Sequence, residues 1–307
     1  MSKFQRSWCL FKSSLSIMAK HKQLLVFPIV VFLFTLLIVL FFLAPVVLRP
    51  TSHPYASTQH WEAISHSLFT QTVDAHGHLA VTSLSPAAMG YLAFMYLVSM
   101  VFATYFNVAF YHEILSALGG GTVSIPRGLK FACTRWKAIL MWSLFAGLVG
   151  LIIQQIEQRL SFIGRIIGRF IGMAWSIASV FVIPAIVQDE QNVNPIQMLK
   201  NSAGILQRTW GEALIGYVGL SLASGLVLIA SLGLLIGAFA ASMHFNNYWI
   251  IGVVGAFWIL AMFVLSYLTS VAGQIYKGAL YLYAANGMVP EPYSQELLDS
   301  AWKFKKE

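Results

Sequence analysis

The residues best suited to hold a metal ion lie between the first two apolar blocks of the chain. Segment 50–86 contains five of the eight histidines, and Asp74, His76 and His78 form a D-x-H-x-H run within it. Neutral imidazoles with a carboxylate suit zinc or copper, and side chains at i and i+2 share one face of an extended strand. The spacing is nonspecific, so a solvated loop that tolerates histidine is the main interpretation and a metal site the alternative.

A second set of residues has the chemistry to bind an anion. Arg159, Arg165 and Arg169 crowd into the short stretch between two later apolar blocks. A guanidinium grips phosphate through a bidentate fork, so this cluster predicts a site for a phospholipid headgroup or another anion. In the alternative interpretation, Glu157 pairs with one arginine and the others reach lipid headgroups.

Small residues accompany the arginine cluster. Gly164, Gly168 and Gly172 form a GxxxGxxxG stripe. Glycines at this spacing let two membrane helices approach closely. The stripe therefore predicts a helix-packing face beside the arginines.

Motifs for catalysis are absent from the sequence. It contains no GxxxxGK[ST] phosphate loop, no HExxH pair and no GxSxG serine elbow. We therefore expect neither enzyme activity nor a bound cofactor. The two cysteines, Cys9 and Cys133, fall in segments predicted to be cytoplasmic, where thiols stay reduced.

Membrane spans are the elements that must position these residues. The 307-residue chain is 58% hydrophobic and 10% charged, with a mean hydropathy of +0.73, whereas soluble domains carry about 25% charged residues. A span needs about 20 apolar residues. Six apolar blocks are candidate spans: 24–48, 87–111, 136–153, 166–187, 213–241 and 249–274. The composition thus excludes a soluble protein and predicts a multi-pass membrane protein.

The distribution of Lys and Arg predicts how the spans are oriented. Fifteen of these residues lie on the side that holds both termini and the second and fourth connections, and four lie on the other side. Because positively charged loops stay in the cytoplasm, we predict that both termini are cytoplasmic. The net charge of +8 then reflects topology, and no nucleic-acid partner is expected.

A narrow apolar stripe precedes each odd-numbered span. Apolar residues recur at i, i+4 and i+7 from Phe4 and from Ile125, and at i, i+3 and i+7 from Ile196, which is the pattern of a helix lying among lipid headgroups. The predicted fold class is therefore all-α, with six spans arranged as three hairpins and an interfacial helix before each. The alternative is that any connection near a bilayer becomes amphipathic.

The chain divides into three predicted parts. They are an N-terminal amphipathic helix at 1–23, a six-span domain at 24–286 with its outer loop at 50–86, and a C-terminal cytoplasmic helix at 287–307. Glu113 falls near a predicted cytoplasmic span end, where we expect water to reach it. Segment 248–285 would rise about 57 Å as one helix, so it either extends past the membrane or bends near 266–273.

Four stretches resemble a family of bacterial six-span membrane proteins with no assigned function. They are SWCLFKSSLSIMAKHKQLLVFPIV at 7–30, FVIPAIVQDE at 181–190, MLKNSAGILQRTWGEALIG at 198–216 and ALYLYAANGMVPEPYSQELLDSAWKFK at 279–305. A weaker similarity runs to the membrane domains joined to some glycerophosphodiester phosphodiesterases, although no phosphodiesterase domain is present. The resemblance implies the six-span fold and a bacterial inner membrane, and it supplies no reaction.

These patterns favour a non-enzymatic scaffold or envelope-homeostasis protein whose partner is the lipid bilayer. Packing stripes, interfacial helices and a docking tail are all that such a role requires. The alternative is a transporter or lipid-handling protein that uses a cavity between repeat units. A phospholipid headgroup is the candidate small ligand in either case.

Overall fold

The computed structural model describes residues 3–73, 79–159, 162–208 and 231–295, and these are mostly helical. The elements in chain order are α1 (Lys3–Lys20), a 3-10 turn (Lys22–Leu25), α2 (Val26–Val47), α3 (Thr58–Leu68), β1 (Phe69–Val73), β2 (Leu79–Leu84), α4 (Pro86–Leu118), α5 (Ile125–Thr134), α6 (Trp136–Arg159), α7 (Phe162–Ala178), α8 (Val182–Gln188), α9 (Pro195–Arg208), α10 (Ser231–His244) and α11 (Trp249–Asn286). The predicted predominance of helix is confirmed.

Five helical segments are long and apolar enough to cross a membrane. They are Lys22–Val47, Pro86–Leu118, Trp136–Glu157, Ile166–Gln188 and Trp249–Asn286. They coincide with five of the six predicted blocks, so the chain has the architecture of a multi-pass membrane protein. The remaining block, 213–241, lies largely outside the described residues, and its last part falls in α10.

Local signals explain where several helices begin and end. Ser57 and Ser85 cap α3 and α4, and each hydroxyl accepts a hydrogen bond from a backbone N–H three residues on. Pro86 occupies the first turn of α4, where a missing N–H costs nothing. At the end of α11, Gly287 has φ 66°, a left-handed conformation that suits glycine in a C-terminal cap.

The segment between the first two spans contains the one departure from the predicted all-α class within the described residues. There β1 and β2 pair antiparallel, with Phe69 opposite Leu84 and an irregularity at Thr72 and Val73. Both strands are rich in β-branched and apolar residues, which favour a pleated conformation. The predicted metal-binding run of Asp74, His76 and His78 falls between the strands, outside the described residues.

Buried side chains concentrate at one end of the bundle. They occupy 104–118 in α4, 138–146 in α6, 182–187 in α8 and 271–282 in α11. The same apolar core includes residues of α1, α5, α9 and the segment after α11. We call this region, formed by those parts of the spans with α1, α5, α9 and residues 287–295, the compact end.

Away from the compact end, the spans present apolar side chains outward. Phe32 and Phe41 in α2 and Phe257 and Phe263 in α11 are all exposed. Water would penalise such a surface strongly, whereas hydrocarbon does not. This distribution is what a membrane-embedded bundle requires.

Helices form at all three positions predicted for amphipathic segments, namely α1, α5 and α9. Each buries part of one face against the spans, through residues such as Met18, Ala132 and Met198. The amphipathic pattern therefore reflects packing onto protein at the compact end. Contact of their other faces with lipid headgroups stays a prediction.

The last span is one uninterrupted helix of 38 residues, α11. At about 1.5 Å per residue it exceeds a hydrocarbon core of about 30 Å. The helix continues without interruption through residues 266–273, and its extension past the membrane stays a prediction. Its last third carries the buried residues and lies within the compact end.

Candidate functional site

A fully buried carboxylate lies at the compact end. Glu113, near the end of α4, is 0% exposed. Its Oε1 accepts a hydrogen bond from Arg127 Nε at 3.0 Å, and its Oε2 accepts bonds from Arg127 Nη2 and the Ser124 backbone N–H, both at 2.6 Å. His112 Nδ1 lies 2.9 Å from Oε1. Four nitrogen atoms therefore replace the water that this carboxylate has lost.

The prediction that water reaches Glu113 is wrong, and the connection after α4 explains why. A run of three glycines, 119–121, turns the chain back, and Gly120 has φ 81°, a left-handed conformation. α5 then lies directly on α4. A Cβ at Gly128 would come within 2.7 Å of the Ala109 carbonyl oxygen and 2.9 Å of Glu113 Cγ. Only a glycine permits this approach, which covers the carboxylate.

Arg127 holds the connection in place as well as the carboxylate. Its Nη2 also donates to Ser116 Oγ at 3.0 Å and to the Thr122 carbonyl oxygen. The hydrogen bonds to Glu113 raise the pKa of the Arg127 guanidinium above its ordinary value, with the attraction of the two charges adding to the shift. The side chain is 42% exposed, so water still reaches part of it.

A second ion pair lies beside the first, across an aromatic ring. The His112 and Phe131 rings stack with centroids 4.0 Å apart, and Arg135 Cζ lies 5.2 Å from the Phe131 centroid. Arg135 Nη2 donates to Glu190 Oε1 at 3.0 Å and to the Val187 carbonyl oxygen at 3.5 Å. This pair ties the α5–α6 junction to the end of α8.

We call the side chains of His112, Glu113, Arg127, Arg135 and Glu190 the ion-pair network. The Arg135 side chain is buried, whereas that of Glu190 is 77% exposed. Arg135 Nε is buried and has no hydrogen-bond partner within the described part of the chain. The network joins four elements, because its residues come from α4, α5, the α5–α6 junction and the segment after α8.

The fourth span contains a break that another helix fills. α7 ends at Ala178 and α8 begins at Val182, because Pro184 has no N–H and its ring excludes the carbonyl of Val180 from a regular helix. The fully buried Ser202 of α9 spans the gap. Its hydroxyl donates to the Ala178 carbonyl oxygen at 2.6 Å and accepts from the Phe181 N–H at 3.0 Å.

The segment after α11 returns to the first helix. The Ser14 hydroxyl donates to the Leu10 carbonyl oxygen at 3.1 Å, and Tyr293 Oη lies 2.7 Å from Ser14 Oγ. Either hydroxyl can be the donor in the contact between Ser14 and Tyr293. Asn286 Nδ2 donates to Gln188 Oε1 at 3.3 Å. These contacts bring both ends of the described chain to the compact end.

The predicted anion-binding arginines lie around the α6–α7 turn. Arg159 is the last residue of α6 and Arg165 lies within α7, but their side chains are outside the described part of the structure. Arg169, also in α7, is exposed. An anion-binding cluster at this turn therefore stays a prediction.

The predicted glycine stripe lies in α7. A Cβ at Gly168 would come within 2.7 Å of Glu157 Cγ, and one at Gly172 would lie 3.7 Å from Ile153 Cγ2, both on α6. Gly164 is buried. The two later glycines thus occur where α6 and α7 pack closely.

The metal prediction cannot be placed in the same way, because Asp74, His76 and His78 are not among the described residues. Within residues that are described, no group of three His, Cys, Asp or Glu side chains is close enough to hold a metal ion. The outer-loop metal site stays a prediction.

Sequence reasoning missed the ion-pair network. In the sequence, Arg127 and Arg135 are visible only as part of the excess of Lys and Arg on the predicted cytoplasmic side, and Glu113 only as a residue near a predicted span end. One signal was available: Glu113 is followed by a glycine-rich turn and then by Arg127, a spacing that allows the chain to fold back. Nothing in the sequence pairs Arg135 with Glu190, which is 55 positions away.

The family comparison assigns no activity to the chain. The model of a family described as "Family of unknown function (DUF6159)" matches residues 87–290, about two thirds of the chain. No curated protein and no solved structure matches the chain significantly. The matched region runs from α4 to the segment after α11, and so contains the ion-pair network and the broken fourth span. The chain belongs to this family of unknown function, DUF6159.

Proposed function

We propose that this protein is a non-enzymatic scaffold in a bacterial inner membrane, with a role in envelope homeostasis. The observation that supports the proposal is the ion-pair network. The fully buried Glu113 carboxylate accepts hydrogen bonds from protein donors, and Arg135 forms an ion pair with Glu190. These charges hold connecting segments in place, which is the work of a rigid platform.

The proposal includes an orientation and a repeat. Both termini lie in the cytoplasm, and the spans form three hairpins introduced by α1, α5 and α9, whose outward faces meet headgroups. The exposed residues Lys20, Lys130 and Lys200, one on each of these helices, support this arrangement, since basic residues accumulate on the cytoplasmic side. The compact end is then the cytoplasmic face on which partners assemble.

Site-specific cross-linking in cells tests the scaffold role. A photoreactive residue is placed at Lys200 or Gln207, both exposed on α9, and at the lipid-facing Phe257 as a matched control. We expect one and the same protein adduct from both α9 positions and none from position 257. Deleting that partner should reproduce the envelope defect caused by deleting this protein.

A variant that lacks one ion pair tests whether the cross-linking depends on the structure of the compact end. Arg135→Gln frees the segment that leads into α9, because the pair with Glu190 is lost. We expect the α9 adduct to be lost while the variant stays in the membrane at the wild-type amount. Adducts to lipid alone, together with an intact envelope after deletion of this protein, would overturn the scaffold proposal.

A lipid-handling or transport function is the second candidate, and the broken fourth span favours it. Interrupted helices are common in transporters, where freed backbone groups line a path or a hinge. Here Ser202 holds the interruption closed. In this candidate Arg159, Arg165 and Arg169 would receive a phospholipid headgroup as the substrate enters.

Proteoliposomes separate the two candidates. A scaffold should give no lipid scrambling and no solute flux above that of empty vesicles. Lipid scrambling by the wild-type protein that changes in Ser202→Ala, and not in the exposed Ser176→Ala, would establish the second candidate.

A further inference from the structure

The α5–α6 junction carries more positive charge than its ion pairs use. Residues 114–156 contain no Asp or Glu, and their charged residues are Arg127, Lys130, Arg135 and Lys137. The two arginines are paired with Glu113 and Glu190. Both lysines are exposed, and neither has an acidic partner among the residues described. Two positive charges at this junction therefore have no ion-pair partner among the described residues.

An exposed tryptophan lies between the two lysines in sequence. Trp136, the first residue of α6, is 57% exposed, and Lys137 Nζ lies 5.7 Å from the centroid of its ring. Tryptophan at the start of a span is typical of the boundary between headgroups and hydrocarbon. The amphipathic ring and the Lys137 ammonium group thus mark the level of the headgroups at the start of α6.

An apolar stripe continues from Lys137 along α6. Met141, Leu144, Leu148 and Ile152 follow Lys137 at i+4, i+7, i+11 and i+15, and each is between 37% and 58% exposed. The stripe therefore lies on one face of the helix. From Met141 to Ile152 it extends about 16 Å, about half the thickness of a hydrocarbon core.

Among the described helices, α4 and α7 pack on other faces of α6. Gly147 and Gly150 on another face approach Tyr96 of α4, and Trp142 stacks on Trp175 of α7. This face of α6 combines a cationic group at its start, an aromatic ring at the membrane boundary and an apolar stripe about one leaflet long. These features match the headgroup, the interfacial region and an acyl chain of one phospholipid. The unpaired charge makes the headgroup an anionic one.

We propose that Lys130, Trp136 and Lys137, together with the Met141–Ile152 stripe, bind an anionic phospholipid of the surrounding bilayer. The phosphate and the headgroup charge face Lys130 and Lys137, and one acyl chain lies along α6. This inference is independent of the scaffold role, because it requires only that α6 spans a bilayer. It also concerns the opposite end of α6 from Arg159.

Quenching of Trp136 fluorescence tests the site. The protein is placed in nanodiscs of phosphatidylcholine with a small fraction of brominated phosphatidylglycerol or, for comparison, the same fraction of brominated phosphatidylcholine. The contribution of Trp136 is the difference from a Trp136→Phe variant. We expect brominated phosphatidylglycerol to quench Trp136 several-fold more than its bulk fraction predicts, and brominated phosphatidylcholine to quench in proportion to its fraction.

Lysine variants decide whether the junction causes this preference. Each lysine near an anionic surface should contribute about fivefold, so Lys130→Gln and Lys137→Gln should each reduce the preference, and the double variant should abolish it. Lys200→Gln, an exposed lysine on α9, is the matched control and should keep it. Equal quenching by both lipids in the wild type, a preference that survives the double variant, or an equal loss in the control would overturn the proposal.

Discussion

Arg127 and Glu113 form a pair whose two members differ in how much water they keep. The carboxylate is completely buried, whereas the guanidinium is partly exposed. Removing one member of a buried pair is costly mainly because the other charge stays buried. The two possible removals should therefore have unequal effects.

We expect Arg127→Gln to cost about 3 kcal/mol of unfolding free energy, because the carboxylate of Glu113 remains buried. Glu113→Gln should cost about 1–2 kcal/mol, because the freed guanidinium can turn toward water. The double variant should cost less than the two single changes added together. Denaturant unfolding of all four proteins in one detergent measures this ordering, and strict additivity would contradict the proposed coupling.

Ionisation of Tyr293 should make the free energy of unfolding decrease as the pH rises into the alkaline range. Burial raises the pKa of its hydroxyl, while the hydrogen bond with Ser14 acts weakly in the other direction. The folded state therefore retains a proton that the unfolded state releases above its ordinary pKa of about 10. The stability that this group contributes is complete below pH 10 and is lost as the pH rises further.

Tyr293→Phe removes this contribution, so we expect its melting temperature to fall less than that of the wild type between pH 9 and pH 11. Tyr55→Phe, an exposed tyrosine outside the spans, is the control and should follow the wild type. Parallel curves for all three proteins would show that the Tyr293 hydroxyl is not coupled to folding.

At the scale of elements, Ser202 of α9 forms hydrogen bonds with backbone groups at the break between α7 and α8. Ser202→Ala leaves the Phe181 N–H and the Ala178 carbonyl without their partner in a buried place. We expect a loss of about 1–3 kcal/mol. Ser176→Ala is the matched control, because that hydroxyl only adds a bond to a carbonyl within its own exposed helix, and it should change stability by less than about 0.5 kcal/mol. Equal effects would contradict the bridging role.

The elements differ in how far the sequence could predict them. The positions of α1, α5 and α9 were predicted because a period of about 3.6 residues is visible along the chain. The break at 179–181 was missed, although Pro184 is a signal for it, because hydropathy treats 166–187 as one apolar block. That Ser202 fills the break was beyond prediction, since a contact between separate helices leaves no local period.

The candidate site was less predictable than the fold for the same reason. The charge of Arg127 and Arg135 is visible in the sequence, but their partners depend on how closely α5 approaches α4. That approach depends on one small residue, Gly128. The sequence alone does not show that Lys130 and Lys137 lack acidic partners, because this depends on which carboxylates the neighbouring arginines pair with.

At the scale of the whole molecule, orientation can be tested with the two natural cysteines. Both belong to the compact end, Cys9 in α1 and the exposed Cys133 in α5. In a Cys9→Ser background, Cys133 should react with a membrane-impermeant maleimide only after the cells are permeabilised. Ser52→Cys, exposed beyond α2, should react in intact cells when Cys9 and Cys133 are replaced by serine. The reverse pattern would place the termini outside.

The uneven distribution of buried residues also has a mechanical consequence. The spans are fastened to one another at the compact end, while their other parts present apolar side chains outward. Helices joined at one end can tilt about that end with little loss of contact. Because α6 and α7 stay closely packed at Gly168, a change in bilayer thickness would be met mainly by tilting of the other spans, at a modest cost per ångström of mismatch. The compact end would keep its shape in thin and thick membranes alike.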